Sequence, residues 1–286
     1  MPAGLNRRRP AGRAAPAQPA AARSAAARSA ALVAAAVSLS GLLPWSGGQA
    51  ARSDQRDCPP AERRQPLPPP SDGHQAGTGS GTGSAAQAPA PDPAGLDYRH
   101  RLRPTPYGWP RRDHWCLWIE PGASDGPAAR WDQAWTGAVA AAVANWQALL
   151  PLTVVSDPER AQVLVWRRRP PLRGGRASHG RAELALLVVE RRGELALEPH
   201  VSVSISPGQR PEAMEATALH ELGHAFGLWG HSDDPADAMA AVPGAIPVRR
   251  LSARDRATLQ WLQAQPALVL SPAAAAGIES AAPAGN

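Results

Sequence analysis

The segment from His220 to His231 constrains the fold of this chain more than any other. It reads His-Glu-Leu-Gly-His-Ala-Phe-Gly-Leu-Trp-Gly-His, and a methionine, Met239, follows it. Residues four apart on a helix project from the same face, so His220 and His224 can reach one metal ion. Apolar residues at helical spacing would bury the opposite face and so fix the direction of both imidazoles: Leu219, Leu222 and Phe226.

The residues that follow this helix indicate how a third ligand is supplied. Gly227 can adopt the left-handed conformation that ends a helix, after which the chain returns His231 to the same metal. Three neutral imidazoles leave a fourth position on tetrahedral zinc for water, which is typical of catalytic sites. Glu221 would take a proton from that water and deliver it to the leaving nitrogen of a peptide. The pattern predicts one catalytic Zn²⁺ and hydrolysis of peptide bonds.

This pattern resembles that of the metzincin metallopeptidases, His-Glu-x-x-His-x-x-Gly-x-x-His followed by a methionine turn. It is most similar to the matrixin-like branch, because His231-Ser232 and Asp237-Ala238-Met239 match segments of that branch. The resemblance covers about residues 107–265 and is strongest at the metal motif. It implies that Met239 lies beneath the metal as a hydrophobic base and is not a ligand.

The chain departs from the family pattern at the third ligand. His231 follows His224 by seven residues where the family has six, and Gly230 stands at the expected ligand position. A glycine makes a bulge in this turn inexpensive. We therefore expect His231 to be the third ligand, and Asp233 or Asp234 is the alternative.

Other metal sites are left open by the sequence. The resemblance raises a second, structural zinc at His179 and His200, although surface histidines explain them more simply. Calcium binding is possible but unsupported, because turn formation explains the three nearby acidic residues equally well: Asp233, Asp234 and Asp237.

The 30 basic residues of this 286-residue chain are all arginines, and the formal net charge is +6. The arginine clusters are not interleaved with aromatic residues as in nucleic-acid-binding modules. We therefore expect no nucleic-acid partner. The expected partner is a protein or peptide substrate, and the expected oligomeric state is a monomer.

The N-terminal residues 1–50 read as a signal peptide. An arginine-rich leader precedes an apolar run at residues 30–43, and small residues before Ala50 suit cleavage there. The run is shorter than the ~20 residues that span a bilayer. A secreted or otherwise extracytoplasmic protein with no stable membrane insertion is therefore expected, and an uncleaved membrane anchor is the alternative.

Composition divides the remainder of the chain. Residues 51–96 are rich in Pro, Gly and Ser and are expected to be a disordered linker, whereas 97–267 have the composition of a folded catalytic domain. The Ala-rich residues 268–286 are expected to be a disordered tail. The two cysteines, Cys58 and Cys116, can form a disulfide or remain free thiols, or Cys58 can block the zinc in a latent form.

Periodicity predicts an α/β (α+β) fold. Strands are expected at residues 115–119, 152–155, 161–166, 183–190 and 200–205, with a turn at Arg191-Arg192-Gly193. Helices are expected at 131–150, from Pro211 through the metal motif, and at 251–263 with Ser252 as the N-cap. The metzincin resemblance implies a twisted mixed sheet packed on the motif helix and the long helix, with a C-terminal helix.

Together these features predict a secreted zinc endopeptidase. The resemblance implies that an extended peptide pairs with an edge strand at 183–190, and that the loop 240–247 shapes the pocket for the residue after the cut bond. Two alternatives stay open. One is a peptidase that processes a single envelope or secreted partner, and the other is a non-catalytic, zinc-stabilised binding module.

Overall fold

The computed structural model describes residues 57–67, 89–172, 178–272 and 275. All of them belong to one unit that runs from Trp45 to Asn286. The predicted signal peptide lies outside the described residues. In the part of the chain that is described, no helix is both long and apolar enough to cross a membrane.

A six-stranded mixed sheet forms the centre of the fold. Its strands lie in the order β1-β5-β6-β4-β2-β3. The strands β2, β4 and β6 pair in parallel, as do β2 and β3, whereas β5 runs antiparallel to both of its neighbours. The strand bounds are β1 Arg63–Pro66, β2 Trp115–Ile119, β3 Leu152–Val155, β4 Val163–Trp166, β5 Gly180–Arg191 and β6 Glu194–Ile205.

The hairpin between β5 and β6 turns where the sequence predicts it. Arg192 has φ 53° and Gly193 has φ 76°, and two consecutive positive φ angles define the turn type that matches the twist of paired strands. All twelve residues of β5 pair with β6. β5 is therefore a long strand held along its whole length on one side.

In the described part of the chain, three α-helices accompany the sheet: α1 Ala129–Gln147, α2 Pro211–Ala225 and α3 Ala253–Gln263. Two buried tryptophans of α1 connect these layers. The indole N–H of Trp135 donates to the Ile205 carbonyl at 3.2 Å, and that of Trp146 donates to the Leu219 carbonyl of α2 at 3.1 Å. A buried indole needs such an acceptor, so these bonds fix the position of α1 against β6 and α2.

The sequence interpretation of residues 51–96 as a disordered linker is wrong for its N-terminal part. Arg63–Pro66 form β1 on the outer edge of β5, and Cys58 forms a disulfide with Cys116 of β2. The free-thiol and latent-zinc alternatives for Cys58 are therefore excluded. Composition did not reveal this segment because backbone pairing to an existing edge needs few apolar side chains.

The C-terminal boundary also needs correction. Leu268 and Leu270 were predicted to lie in a disordered tail, but they pack with residues of β5 and β6. The Val269 N–H donates to the Tyr107 carbonyl at 2.9 Å, which adds a backbone connection. The folded domain therefore extends to about residue 270.

Candidate metal centre

The three predicted histidine ligands converge. His220 and His224 lie one turn apart on α2, and His231 returns from the loop that follows. Their candidate ligand atoms all lie within 4.8 Å of one another. The ring centroids are 4.8 Å apart for His220 and His224, 5.2 Å for His220 and His231, and 4.9 Å for His224 and His231. One metal ion can contact all three rings.

Backbone carbonyls orient two of these rings. The Nδ1 of His220 lies 2.8 Å from the Ala238 carbonyl oxygen, and the Nδ1 of His224 lies 2.8 Å from that of Leu228. An Nδ1–H donor to a carbonyl leaves the lone pair on Nε2, which is the atom available to a metal. Both rings are thus held in the ligand tautomer.

The electrostatics also suit a cation. Burial lowers the pKa of His224 to about 3, and the neighbouring His220 contributes to that lowering. Burial is likewise the main reason why the pKa values of His220 and His231 are lowered. A neutral imidazole is the form that binds metal, so these residues fit a metal ion with nitrogen ligands.

The turn after α2 accommodates the extra residue. Gly227 has φ 105°. Its N–H donates to the His224 carbonyl, and the Leu228 N–H donates to the Gly223 carbonyl, which are the paired bonds of a Schellman helix end. A Cβ on Gly227 would also lie 2.9 Å from the Pro110 carbonyl. The predicted helix-ending role of Gly227 is therefore confirmed.

Gly230 serves this turn for a different reason from the one expected. Its φ is not positive, but a Cβ there would collide with the backbone carbonyl of Arg101. The Arg103 N–H donates to the Trp229 carbonyl at 2.9 Å, so the segment before β2 packs directly on the turn. Gly230 permits this close approach, and His231 takes the third position.

Met239 is fully buried, and its side chain lies against Gly223 of the motif helix. The adjoining residues are held by Asp255 at the start of α3, whose carboxylate accepts from the Ala238 N–H at 2.8 Å. The same carboxylate forms a capping box with Ser252 and accepts from the Tyr98 hydroxyl at 2.8 Å. Asp255 therefore connects the start of α3 to the segment that orients His220.

Glu221 lies beside the first histidine and faces the start of β5. It is 9% exposed, and a Cβ on Gly180 would lie 2.7 Å from its Oε1. Burial raises the pKa of Glu221 to about 7, although the hydrogen bond with the Ala182 backbone and the charge of Arg181 lower it. A carboxyl with a pKa near neutrality is suited to both accepting and returning a proton.

A cavity of about 530 Å³ opens next to His220 and Glu221. One wall is the start of β5 at Gly180, another is α2, and the third is the loop after Met239. The loop residues that line it are small or apolar: Ala240, Ala241, Pro243, Gly244, Pro247 and Val248. The segment 240–247 thus lies beside the histidine cluster, where it was predicted.

The other candidate ligands do not join this cluster. Asp233 and Asp237 pair with the Arg254 guanidinium at 2.9 and 3.0 Å, and Asp234 lies 3.8 Å from it. These carboxylates therefore already face a cation. Among the residues with assigned positions, His179 and His200 belong to no group of three metal-binding side chains. Such a group does exist at Cys58, His114 and Cys116, but the disulfide occupies both sulfurs.

Three residues of the site were missed by sequence reasoning. Gly223 and Gly180 leave space for Met239 and Glu221, and Asp255 holds the Ala238 backbone. Only Asp255 had a usable signal, because it stands three residues after the N-cap Ser252. The two glycines matter through contacts between distant segments, which spacing along the chain does not reveal.

No protein-family model matches this chain, and no curated protein matches its sequence.

Proposed function

We propose that this protein is a zinc-dependent endopeptidase with a matrixin-like fold. The observation that carries the proposal is the convergence of His220, His224 and His231 next to Glu221, beside a cavity that His220 and Glu221 line. Three histidines with the fourth position left to water are the set typical of catalytic zinc. A purely structural site would have no use for a buried glutamate beside the metal.

The residues of the chain divide the chemistry among them. Bound zinc supplies Lewis acidity, which acidifies water and polarises a carbonyl. Glu221 would accept a proton from water and return it to the leaving amine, and burial raises its pKa above the usual carboxyl range. The carbonyls of Ala238 and Leu228 keep the histidine rings aimed at one point.

The substrate is proposed to be an extended polypeptide. The start of β5 presents an edge beside Glu221, to which a peptide can add as a strand. The cavity would then receive the side chain after the cut bond. The wall formed by the loop after Met239 consists mainly of Ala, Pro and Val residues, which favours an apolar side chain.

A processing peptidase of narrow specificity is the second candidate, and β1 favours it. β1 covers residues 187–190, about half of the edge on which peptide binding was predicted. The disulfide supports an extracytoplasmic location, because such bonds persist in oxidising compartments.

Cleavage of a diverse peptide library by the zinc-loaded full chain tests the proposal. We expect Glu221→Gln to retain zinc and to lower kcat/KM by about 10²–10⁴-fold, the usual contribution of a general base. Glu212→Gln is the matched control, because Glu212 is exposed in the first turn of the same helix. The proposal would be refuted if the zinc-loaded wild type cut nothing, or if the Glu221→Gln variant cut as well as the wild type.

A further inference from the structure

β1 ends partway along the outer edge of β5. Its register pairs Arg63 with Glu190 and Pro66 with Leu187, and the Leu67 N–H makes the last bond, to the Leu186 carbonyl at 3.1 Å. In the described part of the chain no strand pairs with β5 on this side before Leu186. Among the described residues, the outer edge of β5 is therefore divided into a covered half and an open half.

The open half leads to the candidate metal centre. The N–H and C=O groups of successive residues point to alternate sides of a strand, and the Leu186 and Glu190 carbonyls face β1. The backbone groups of Leu184 and Ala182 therefore point to the same, outer side. The start of β5 lies against Glu221, because a Cβ on Gly180 would be 2.7 Å from the Glu221 Oε1. We call the outward backbone groups of Ala182 and Leu184 the open edge. It spans the distance between the end of β1 and the proposed catalytic base.

β1 is held firmly in place. Cys58 is bonded to Cys116 of β2, and the Arg160 Nε donates to the Cys58 carbonyl at 2.7 Å. Arg63 forms a 2.8 Å ion pair with Glu190 on the strand that it covers. A peptide would have to break this pairing to use the covered half of the edge.

The sequence also limits the growth of β1 toward the metal. The backbone groups of residues 63, 65 and 67 face β5, whereas those of Pro66 face away. The missing N–H of Pro66 therefore costs no hydrogen bond to β5. The next residue that would donate to β5 is Pro69, which has no N–H. At the next position that would face β5, the sequence therefore offers no N–H donor.

The direction in which a peptide would run along the open edge follows from the strands that already pair with β5. Both strands that pair with β5 are antiparallel to it. A peptide that adds in the same sense runs in the direction of β1, so its N-terminal end meets Leu67. One substrate residue lies opposite each of positions 185, 184, 183 and 182, which gives room for about four residues.

We propose that β1 acts as a stop that limits how many substrate residues can pair with β5 before the cut bond. This inference rests on the proposed function. The enzyme would select polypeptides whose cut bond lies within about four residues of a free N-terminus, or of a turn that leads the chain away from the sheet. Long extended substrates would gain nothing from residues beyond that point.

Peptide hydroxamates test the stop without any cleavage. In this series the C-terminal hydroxamate chelates zinc, and N-acetylated chains of alternating Thr and Val residues, one to eight long, extend from it. Calorimetry measures their Kd for the zinc-loaded full chain. We expect binding to strengthen about fivefold for every two residues up to four, and to change less than about twofold from four to eight.

Two proline variants provide the matched comparison. Gln65→Pro removes an N–H that faces β5 opposite Val188, whereas Arg64→Pro removes one that faces away. With Gln65→Pro the affinity should continue to rise from four to eight residues, by about 25-fold in total. With Arg64→Pro the wild-type limit should remain. Thermal unfolding establishes that both variants are folded.

The outcomes separate this inference from the proposed function. Three results would overturn the stop. The affinity could rise through eight residues in the wild type, it could level off at the same length in Gln65→Pro, or no hydroxamate of any length could bind. If the hydroxamates show the limit but no peptide is ever cleaved, the stop stands and the peptidase proposal fails. If peptides are cut with no dependence on their length, the peptidase proposal stands and the stop fails.

Discussion

The side chain of Met239 occupies the space that a Cβ on Gly223 would need. Its Sδ lies against the Gly223 position, and its Cε would be 3.1 Å from such a Cβ. Gly223 is in α2, directly before His224, where a glycine ordinarily weakens a helix. The helix tolerates this weakness because the buried Met239 side chain needs the room.

Gly223→Ala should therefore destabilise the protein. A helix-interior Gly→Ala change normally gains about 0.5–1 kcal/mol, but forcing Met239 out of its position should cost about 1–3 kcal/mol. Urea unfolding measures the balance. Gly137→Ala in α1 is the control, because nothing lies within 4 Å of its Cβ position, and it should stabilise. Equal effects at the two positions would contradict the packing argument.

Removal of the third histidine should abolish tight zinc binding. Loss of groups that only orient a ligand weakens metal affinity about 10–100-fold, so His231→Ala should weaken it by more than about 100-fold. Asp233→Ala is the comparison, since Asp233 was the alternative ligand and instead pairs with Arg254. Competition with a chromogenic chelator gives both affinities. A larger loss with Asp233→Ala would reverse the assignment.

The Cys58–Cys116 disulfide should contribute strongly to stability. It closes a loop with a sequence separation of 58 residues. Loop-closure entropy for that length corresponds to about 4 kcal/mol. The double variant Cys58→Ser, Cys116→Ser should lose a comparable free energy of unfolding in urea, and reduction of the wild type should reproduce the loss. A change below about 1 kcal/mol would show that β1 needs no covalent link.

Glu198 should make stability depend on pH in the acid range. Burial alone would raise its pKa, but the nearby charges of Arg112 and Arg191 outweigh burial and lower the pKa. A depressed pKa means that Glu198 stabilises the fold above its unfolded pKa, about 4.3, and that this contribution is lost as pH falls through the folded value.

Urea unfolding between pH 2 and pH 7 tests this linkage. The difference in stability between wild type and Glu198→Gln should be largest near pH 7 and should shrink below about pH 4. Glu194→Gln provides the control, because Glu194 is exposed on the same strand. A difference that stays constant across this range would remove Glu198 from the acid response.

Much of the secondary structure could be predicted from the sequence. The strand Leu152–Val155 has the predicted bounds, the motif helix begins at Pro211, and Ser252 caps α3. These elements have strong local signals, either a proline, a cap or a run of β-branched residues. Other bounds shifted because long-range pairing decides them. β5 begins at Gly180 and β6 begins at Glu194, both earlier than predicted, because each strand extends the pairing of the other.

The candidate site was predictable in part. The four residues of the metal motif come together because helical spacing and one glycine turn determine their geometry. The stop at Leu67 was not predictable, because β1 lies about 120 residues from β5 in sequence and is polar. Neither charge nor periodicity identifies which edge such a segment will choose.

The anchored N-terminal segment also determines where this protein can be shortened. A recombinant piece that began at residue 97, the boundary suggested by composition, would lack both β1 and Cys58. Cys116 would then be left as an unpaired thiol, and the outer side of β5 would offer unpaired backbone groups along its full length. Two such pieces could join through either feature, so production of the domain for crystallisation or assay should start upstream of Asp57.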